Sequence, residues 1–134
     1  MKLIVFASAG MFMAAFFTGC ASAPTQEERA SADYGNDMTQ EQCIAITEKV
    51  ISDTLKDPGS AQFRHNSCTK GYWSSVPIAG KPKLFGWFQS GQVNGKNAFG
   101  GYVGFRPYQV LMRNGVPVRW CVSEQNGMCY PIGQ

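Results

Sequence analysis

A single stretch with helical periodicity, followed only by strand-like segments, leaves this chain few ways to fold. Thr39-Gln40-Glu41-Gln42 fits a capping box, in which the Thr39 hydroxyl accepts from the third helical amide and Gln42 reaches back. From there Cys43, Ile46, Thr47, Val50, Ile51 and Leu55 recur at helical spacing, while Glu41, Glu48, Lys49 and Asp53 fall mostly outside that stripe. The helix is expected to end at Lys56-Asp57-Pro58, because the proline ring disfavours a helical residue before it, with a short new turn through Ser60. Beyond it, segments 63–68, 71–76, 84–93, 102–112 and 116–122 are rich in aromatic and β-branched residues between turn formers. Arg113-Asn114-Gly115-Val116 is the clearest hairpin, since a type I′ turn needs positive φ at both central positions. Asn94-Gly95-Lys96-Asn97 is read as a second connection, joining 84–93 to 102–112. The expectation is an α+β domain: one N-terminal amphipathic helix packed on an antiparallel β-meander of about four strands, closed by two disulfides.

The chain opens with Met1-Lys2, an apolar run from Leu3 to Phe17, and Thr18-Gly19-Cys20, the order of a secretory signal. The run is shorter than the roughly twenty residues a helix needs to cross a bilayer. Phe17-Thr18-Gly19-Cys20 resembles the lipobox of bacterial lipoproteins, with Phe17 departing from the usual Leu. The resemblance implies cleavage after residue 19 and a diacylglycerol on the Cys20 thiol, with further acylation of its amine; several chains anchor where one does not. It also implies sorting to the outer membrane, facing the periplasm, because Ala21 stands where Asp favours retention at the inner membrane. Ala21-Ser22-Ala23 is an alternative cleavage site. The expected organisation is a signal peptide over 1–19, a lipidated and flexible polar tether over 20–38, and a single domain over 39–134.

Assigning Cys20 to lipid leaves Cys43, Cys68, Cys121 and Cys129, an even number in an exported chain. Four cysteines allow three connectivities, and a length argument favours one. A helix from 43 to 57 climbs roughly 21 Å, and an extended segment from 62 to 68 returns roughly 20 Å, bringing Cys68 level with Cys43. That leaves Cys121 with Cys129. A zinc site is a poor competitor, since no CxxC occurs and His65 is the only histidine.

Charge is unevenly distributed. Residues 20–57 hold eight acidic and three basic residues, net −5, whereas 58–134 hold eight basic residues and Glu124 alone, net +7. Either the acidic helix lies against the basic sheet and the fields cancel, or an anion-binding face remains.

The stretch Gly91-Gln92-Val93-Asn94-Gly95-Lys96-Asn97-Ala98-Phe99-Gly100-Gly101-Tyr102 invites a phosphate-loop reading, which fails. The spacing is one residue short, Asn97 stands where Ser or Thr binds magnesium, and a strand follows. A structural role fits better: Asn94, Gly95 and Asn97 at turn positions, and Gly100, Gly101 and Gly104 letting a strand pass close to its neighbours. With Asp57-Pro58-Gly59-Ser60-Ala61-Gln62-Phe63, this stretch is similar to a pattern of small exported bacterial proteins, DPxSAxF followed by NxKNxFGGY. That resemblance implies the fold and the exported class and transfers no catalytic residue.

Aromatic and basic residues alternate through the strands, and Trp87, Lys96, Tyr102, Arg106 and Tyr108 are the candidates for an exposed ligand patch that stacks on sugars or clasps anions. Catalysis has little to work with. His65 is expected on a solvated strand end beside Arg64 and Asn66, the remaining thiols are paired, and carboxylates are nearly absent from the β region. No cofactor or metal is expected, and export removes the domain from nucleic acid. The expected function is a noncatalytic binding module held to the membrane by its lipid, with an envelope protein, glycan or anionic lipid as partner. The alternatives are a small envelope hydrolase built on His65, a lysozyme-inhibitor-like lipoprotein, which a basic sheet disfavours because it would meet a basic enzyme, and a phage-derived receptor-blocking lipoprotein.

Overall fold

The computed structural model describes residues 23–74 and 83–124. The expected signal peptide, Cys20 and Cys129 lie outside these residues. The elements in chain order are α1 (Gln26–Ser31), α2 (Gln40–Ser52), a 3-10 turn (Pro58–Ser60), β1 (Gln62–His65), β2 (Thr69–Trp73), β3 (Leu84–Asn94), β4 (Arg106–Arg113) and β5 (Val116–Val122).

Five antiparallel strands form one sheet in four lanes, organised on the eleven-residue β3. One side of β3 is shared: β1 pairs along its second half, from Gln62 opposite Asn94 to His65 opposite Gly91, and β2 along its first, from Thr69 opposite Phe88 to Trp73 opposite Leu84. β4 covers the other side and β5 lies beyond it, with an irregularity between Leu111 and Met112. The antiparallel α+β class is as expected, but the consecutive meander is not. The chain breaks step between β1 and β2 because polar side chains replace the ladder there. The buried Gln89 amide donates to the Asn66 carbonyl, and the Asn66 amide donates to the Ser90 carbonyl at 2.9 Å. Gln40, at the start of α2, brackets Cys68: its Nε2 donates to the Cys68 carbonyl at 2.7 Å and its Oε1 accepts from the Cys68 amide at 2.9 Å. The segment is thereby drawn off the sheet toward α2, where Cys43 and Cys68 form a disulfide with Cα atoms 6.3 Å apart.

The capping box of α2 is complete, with the Thr39 hydroxyl accepting from the Gln42 amide and Gln42 accepting from the Thr39 amide. Its inner face buries Cys43, Thr47 and Ile51 against Val93, Tyr108, Val110 and Met112 of the sheet, with Ile46, Val50 and Leu55 at the margin. The helix stops at Ser52, short of the expected 57. The Thr54 hydroxyl donates to the Ile51 carbonyl at 2.7 Å, so a local side chain takes a carbonyl that the next helical turn would have used. On the other face of the sheet a smaller cluster gathers Trp73, Leu111 and Cys121 with Leu84, Phe88 and Val118. Asn114 and Gly115 take φ of 52° and 75°, the positive pair the hairpin requires.

The segment expected to be a flexible tether carries structure from Thr25 on. Thr25 and Glu28 form a second capping box that starts α1. The polar residues that suggested a solvated chain instead find partners on the sheet. Glu28 pairs with Lys83 at 3.1 Å, Asp33 with Arg113 at 2.7 Å and Asp37 with Lys70 at 3.4 Å. Tyr34 meets Phe85 edge-on at 5.7 Å, the Arg29 guanidinium lies 5.7 Å from the Tyr72 ring, and Met38 enters the main core. Accepting from the Thr25 amide, and then from Lys83, holds the Glu28 carboxyl below its ordinary pKa.

Candidate functional site

Between β3 and β4 the chain does not run straight into a strand at residue 102, as expected; β4 begins at Arg106, and residues 95–105 form a loop closed on itself. Lys96 and Tyr102 make an isolated antiparallel bridge at its neck. Beyond the neck, Asn97 organises the tip: its Oδ1 accepts from the amides of Phe99 at 3.0 Å and Gly101 at 3.1 Å, while its own amide donates to the Gly101 carbonyl at 2.8 Å. At the base, Asn94 Oδ1 accepts from the Gly104 amide at 3.0 Å. Ser60 of the 3-10 turn clamps the neck from outside, its hydroxyl accepting from the Lys96 amide at 2.8 Å and its carbonyl from the Tyr102 hydroxyl at 3.1 Å.

Gly100 and Gly104 have φ of 82° and 99°, and a Cβ on either would meet nothing within 4 Å. They serve the backbone's left-handed turns rather than the close strand passage expected of them. The outcome is a tip held by at least three backbone amides that presents Phe99 with 97% of its surface exposed, with Tyr102 and Val103 each 45% exposed behind it.

Below the tip lies a cleft of about 470 Å³ whose walls include Leu55, Lys56, Lys96, Val103, Arg106 and Glu124. Among the described residues its walls carry three cations and one carboxylate. Arg106 reaches Glu124 only at 3.9 Å, and its buried Nε has no hydrogen-bond partner among the described residues. The Lys96 ammonium sits 5.5 Å from the Tyr102 ring, and outside the loop base the Arg64 guanidinium stacks 3.8 Å from the Phe105 ring.

Of the five residues proposed as a patch, Lys96, Tyr102 and Arg106 therefore come together here. Trp87 does not: it stands opposite Met112, packs against the main core, and has the Lys70 ammonium 5.6 Å from its ring. Tyr108 is 1% exposed and belongs to the core. Alternation does put Tyr108 on the same face of β4 as Arg106, but at 108 that face is covered by α2 and the phenol packs into the main core, whereas Arg106 stands at the strand's start beside the loop. The residue missed is Phe99, and the available signal was a large apolar side chain between Asn97 and two glycines, where a turn leaves nothing to bury it.

His65 is not on a solvated strand end. Its ring stacks on Phe63 at 5.2 Å, Nδ1 lies 2.6 Å from the Tyr108 hydroxyl, and Nε2 lies 3.0 Å from Glu48 Oε1. An ionised carboxylate only accepts, so Nε2 carries a proton. The Tyr108 hydroxyl also lies 3.2 Å from the Ser90 carbonyl, and burial, with the Glu48 charge adding to it, pushes the phenol up to about 12. Carboxylate, imidazole and hydroxyl in line suggest a nucleophile relay, but an electrophile cannot reach a hydroxyl buried between sheet and helix. This line of groups ties α2 to β1 and β4.

Fold and site together define a small α+β domain that carries a loop-borne aromatic knob over a cationic cleft. No family model, curated protein or solved structure matches the chain.

Proposed function

We propose that the protein is a lipid-anchored, noncatalytic binding module of the bacterial cell envelope, held to the outer membrane through Cys20 and facing the periplasm. The observation that carries the binding role is Phe99, almost wholly exposed on a loop whose shape is set by its own hydrogen bonds. Holding a phenyl ring in water has an unfavourable hydration cost, about 2 kcal/mol relative to burying it, and a preformed loop has little ordering entropy left to lose on binding. The anchor rests on the order of charged, apolar and small residues before Cys20. The Cys43–Cys68 disulfide fits an oxidising compartment, and we extend this to a second bond between Cys121 and Cys129, which closes the polar loop between them.

The anchor is tested by metabolic labelling with a palmitate analogue. Wild-type protein takes up label and sediments with membranes, and Cys20→Ala abolishes both; unlabelled wild type would sink the reading. The second disulfide is tested by mass mapping of the unreduced, proteolysed protein, which is expected to yield a linked peptide pair containing Cys121 and Cys129. Free thiols at both positions would remove it.

A further inference from the structure

The folded arm gives the domain two ends. Glu28 binds Lys83 just before β3, Tyr34 packs on Phe85 at its start, and Asp33 binds Arg113 beside the hairpin. Chain entry is thus fixed beside Leu84. The loop with Phe99 leaves from Asn94, at the other end of the same strand, about 33 Å away at 3.3 Å per residue. Only five peptide units separate Thr25 from Cys20, a span of at most about 18 Å. An anchor on Cys20 therefore holds the Leu84 end near the bilayer and leaves the loop pointing away from it.

The two ends also differ in charge. At the entry end, Lys83, Arg113 and Lys70 are each paired with a carboxylate of the arm. At the loop end, Lys56, Lys96 and Arg106 line the cleft together with Glu124, which lies 3.9 Å from Arg106.

We propose that this loop end is the docking surface for an acidic protein, with Phe99 entering an apolar recess and Lys56, Lys96 and Arg106 meeting carboxylates at its rim. The proposal rests on the reading of Cys20 as the anchor. The anchoring bilayer supplies anionic headgroups, but on the wrong side of the domain. A glycan stacks on a ring laid flat in a groove, whereas Phe99 projects from the tip as a knob suited to a desolvated pocket with charges around it.

The test uses the full-length chain in cells, with p-benzoylphenylalanine replacing Phe99 in one strain and Lys83 in another, and irradiation followed by identification of adducts. Position 99 is expected to yield a discrete protein adduct, reduced at least tenfold by K56E with K96E, two substitutions on the cleft wall. The captured protein, once purified, is expected to bind the full-length chain with an affinity that falls on the order of 30-fold in Phe99→Ala and weakens as salt rises. Adducts at 99 to lipid, to cell-wall glycan or to the chain itself overturn the proposal, as do no adduct at all and an adduct indifferent to the charge reversals. Palmitate labelling of the same strains separates the two failures. Unlabelled protein breaks the anchor whatever residue 99 contacts, and labelled protein with the wrong adduct breaks the docking surface alone.

Discussion

The arm over residues 25–38 and the loop over 95–105 are both short and glycine-containing, and the protein treats them in opposite ways. The arm places its aromatic and charged side chains against the sheet, Tyr34 on Phe85 and Asp33 on Arg113. The loop turns its hydrogen bonds inward, Asn97 and Asn94 to its own amides, and leaves Phe99 outside. An arm of this kind consumes binding capacity to fix orientation. A self-contained loop keeps its binding capacity for something else. The difference shows that shortness and turn residues do not decide which segment is a spacer and which is a site; the partners of the polar groups do.

Four experiments break or sharpen this contrast. The largest effect is expected from Cys43→Ala with Cys68→Ala. That bond closes a separation of 25 residues and pins α2 to the β1–β2 break. Its loss costs about 3 kcal/mol in the chain-entropy view, read as a lower denaturant midpoint, and an unchanged midpoint would show that Gln40 suffices to hold the break.

Next is the effect of alkali. Folding raises the Tyr108 pKa from 10.0 to about 12, so the folded state retains a proton that the unfolded chain releases. The associated stability is fully present below pH 10 and is lost as pH rises toward 12, by about 2 to 3 kcal/mol. Tyr108→Phe is expected to flatten this part of the profile, and an equally steep profile in the variant would assign the loss to other groups.

Asn97→Ala comes third. It removes the one oxygen that accepts from two tip amides, at about 1 kcal/mol, and is expected to speed hydrogen exchange at Phe99 and Gly101 while the arm amides keep their rates. Faster exchange in both regions would mean that arm and loop are not independent. The smallest change belongs to Phe99→Ala, expected to leave stability within about 0.5 kcal/mol because the ring touches almost nothing. A larger loss would show that the ring is packed.

Legibility followed the range of the interactions. The Thr39 capping box, the apolar stripe from Cys43 to Ile51 and the Asn114-Gly115 hairpin depend on contacts within a few residues, and each appears as read. The Cys43–Cys68 pairing followed from matching helix and strand lengths, although α2 is shorter than that argument assumed; Gln40 supplies the alignment instead. Three patch residues, Lys96, Tyr102 and Arg106, were readable because they flank one loop. Tyr108 was misplaced because alternation gives its face but not that α2 covers that face, and His65 because its partners lie 17 and 43 residues away in sequence.

By itself the sequence determined the local decisions: where α2 begins, which of its faces is apolar, where the last hairpin turns, and that the chain leaves the strand around Asn94 to Asn97. These depend on backbone dihedrals and side chains within one or two turns, which composition encodes directly. Tertiary structure alone decided that β1 and β2 share a lane, that the acidic arm lies on the basic sheet, that Glu48 meets His65, and that Lys56, Lys96 and Arg106 line one cleft at the loop's base. Those outcomes depend on which distant polar groups the packed chain brings within reach of one another, and no local spacing carries that information.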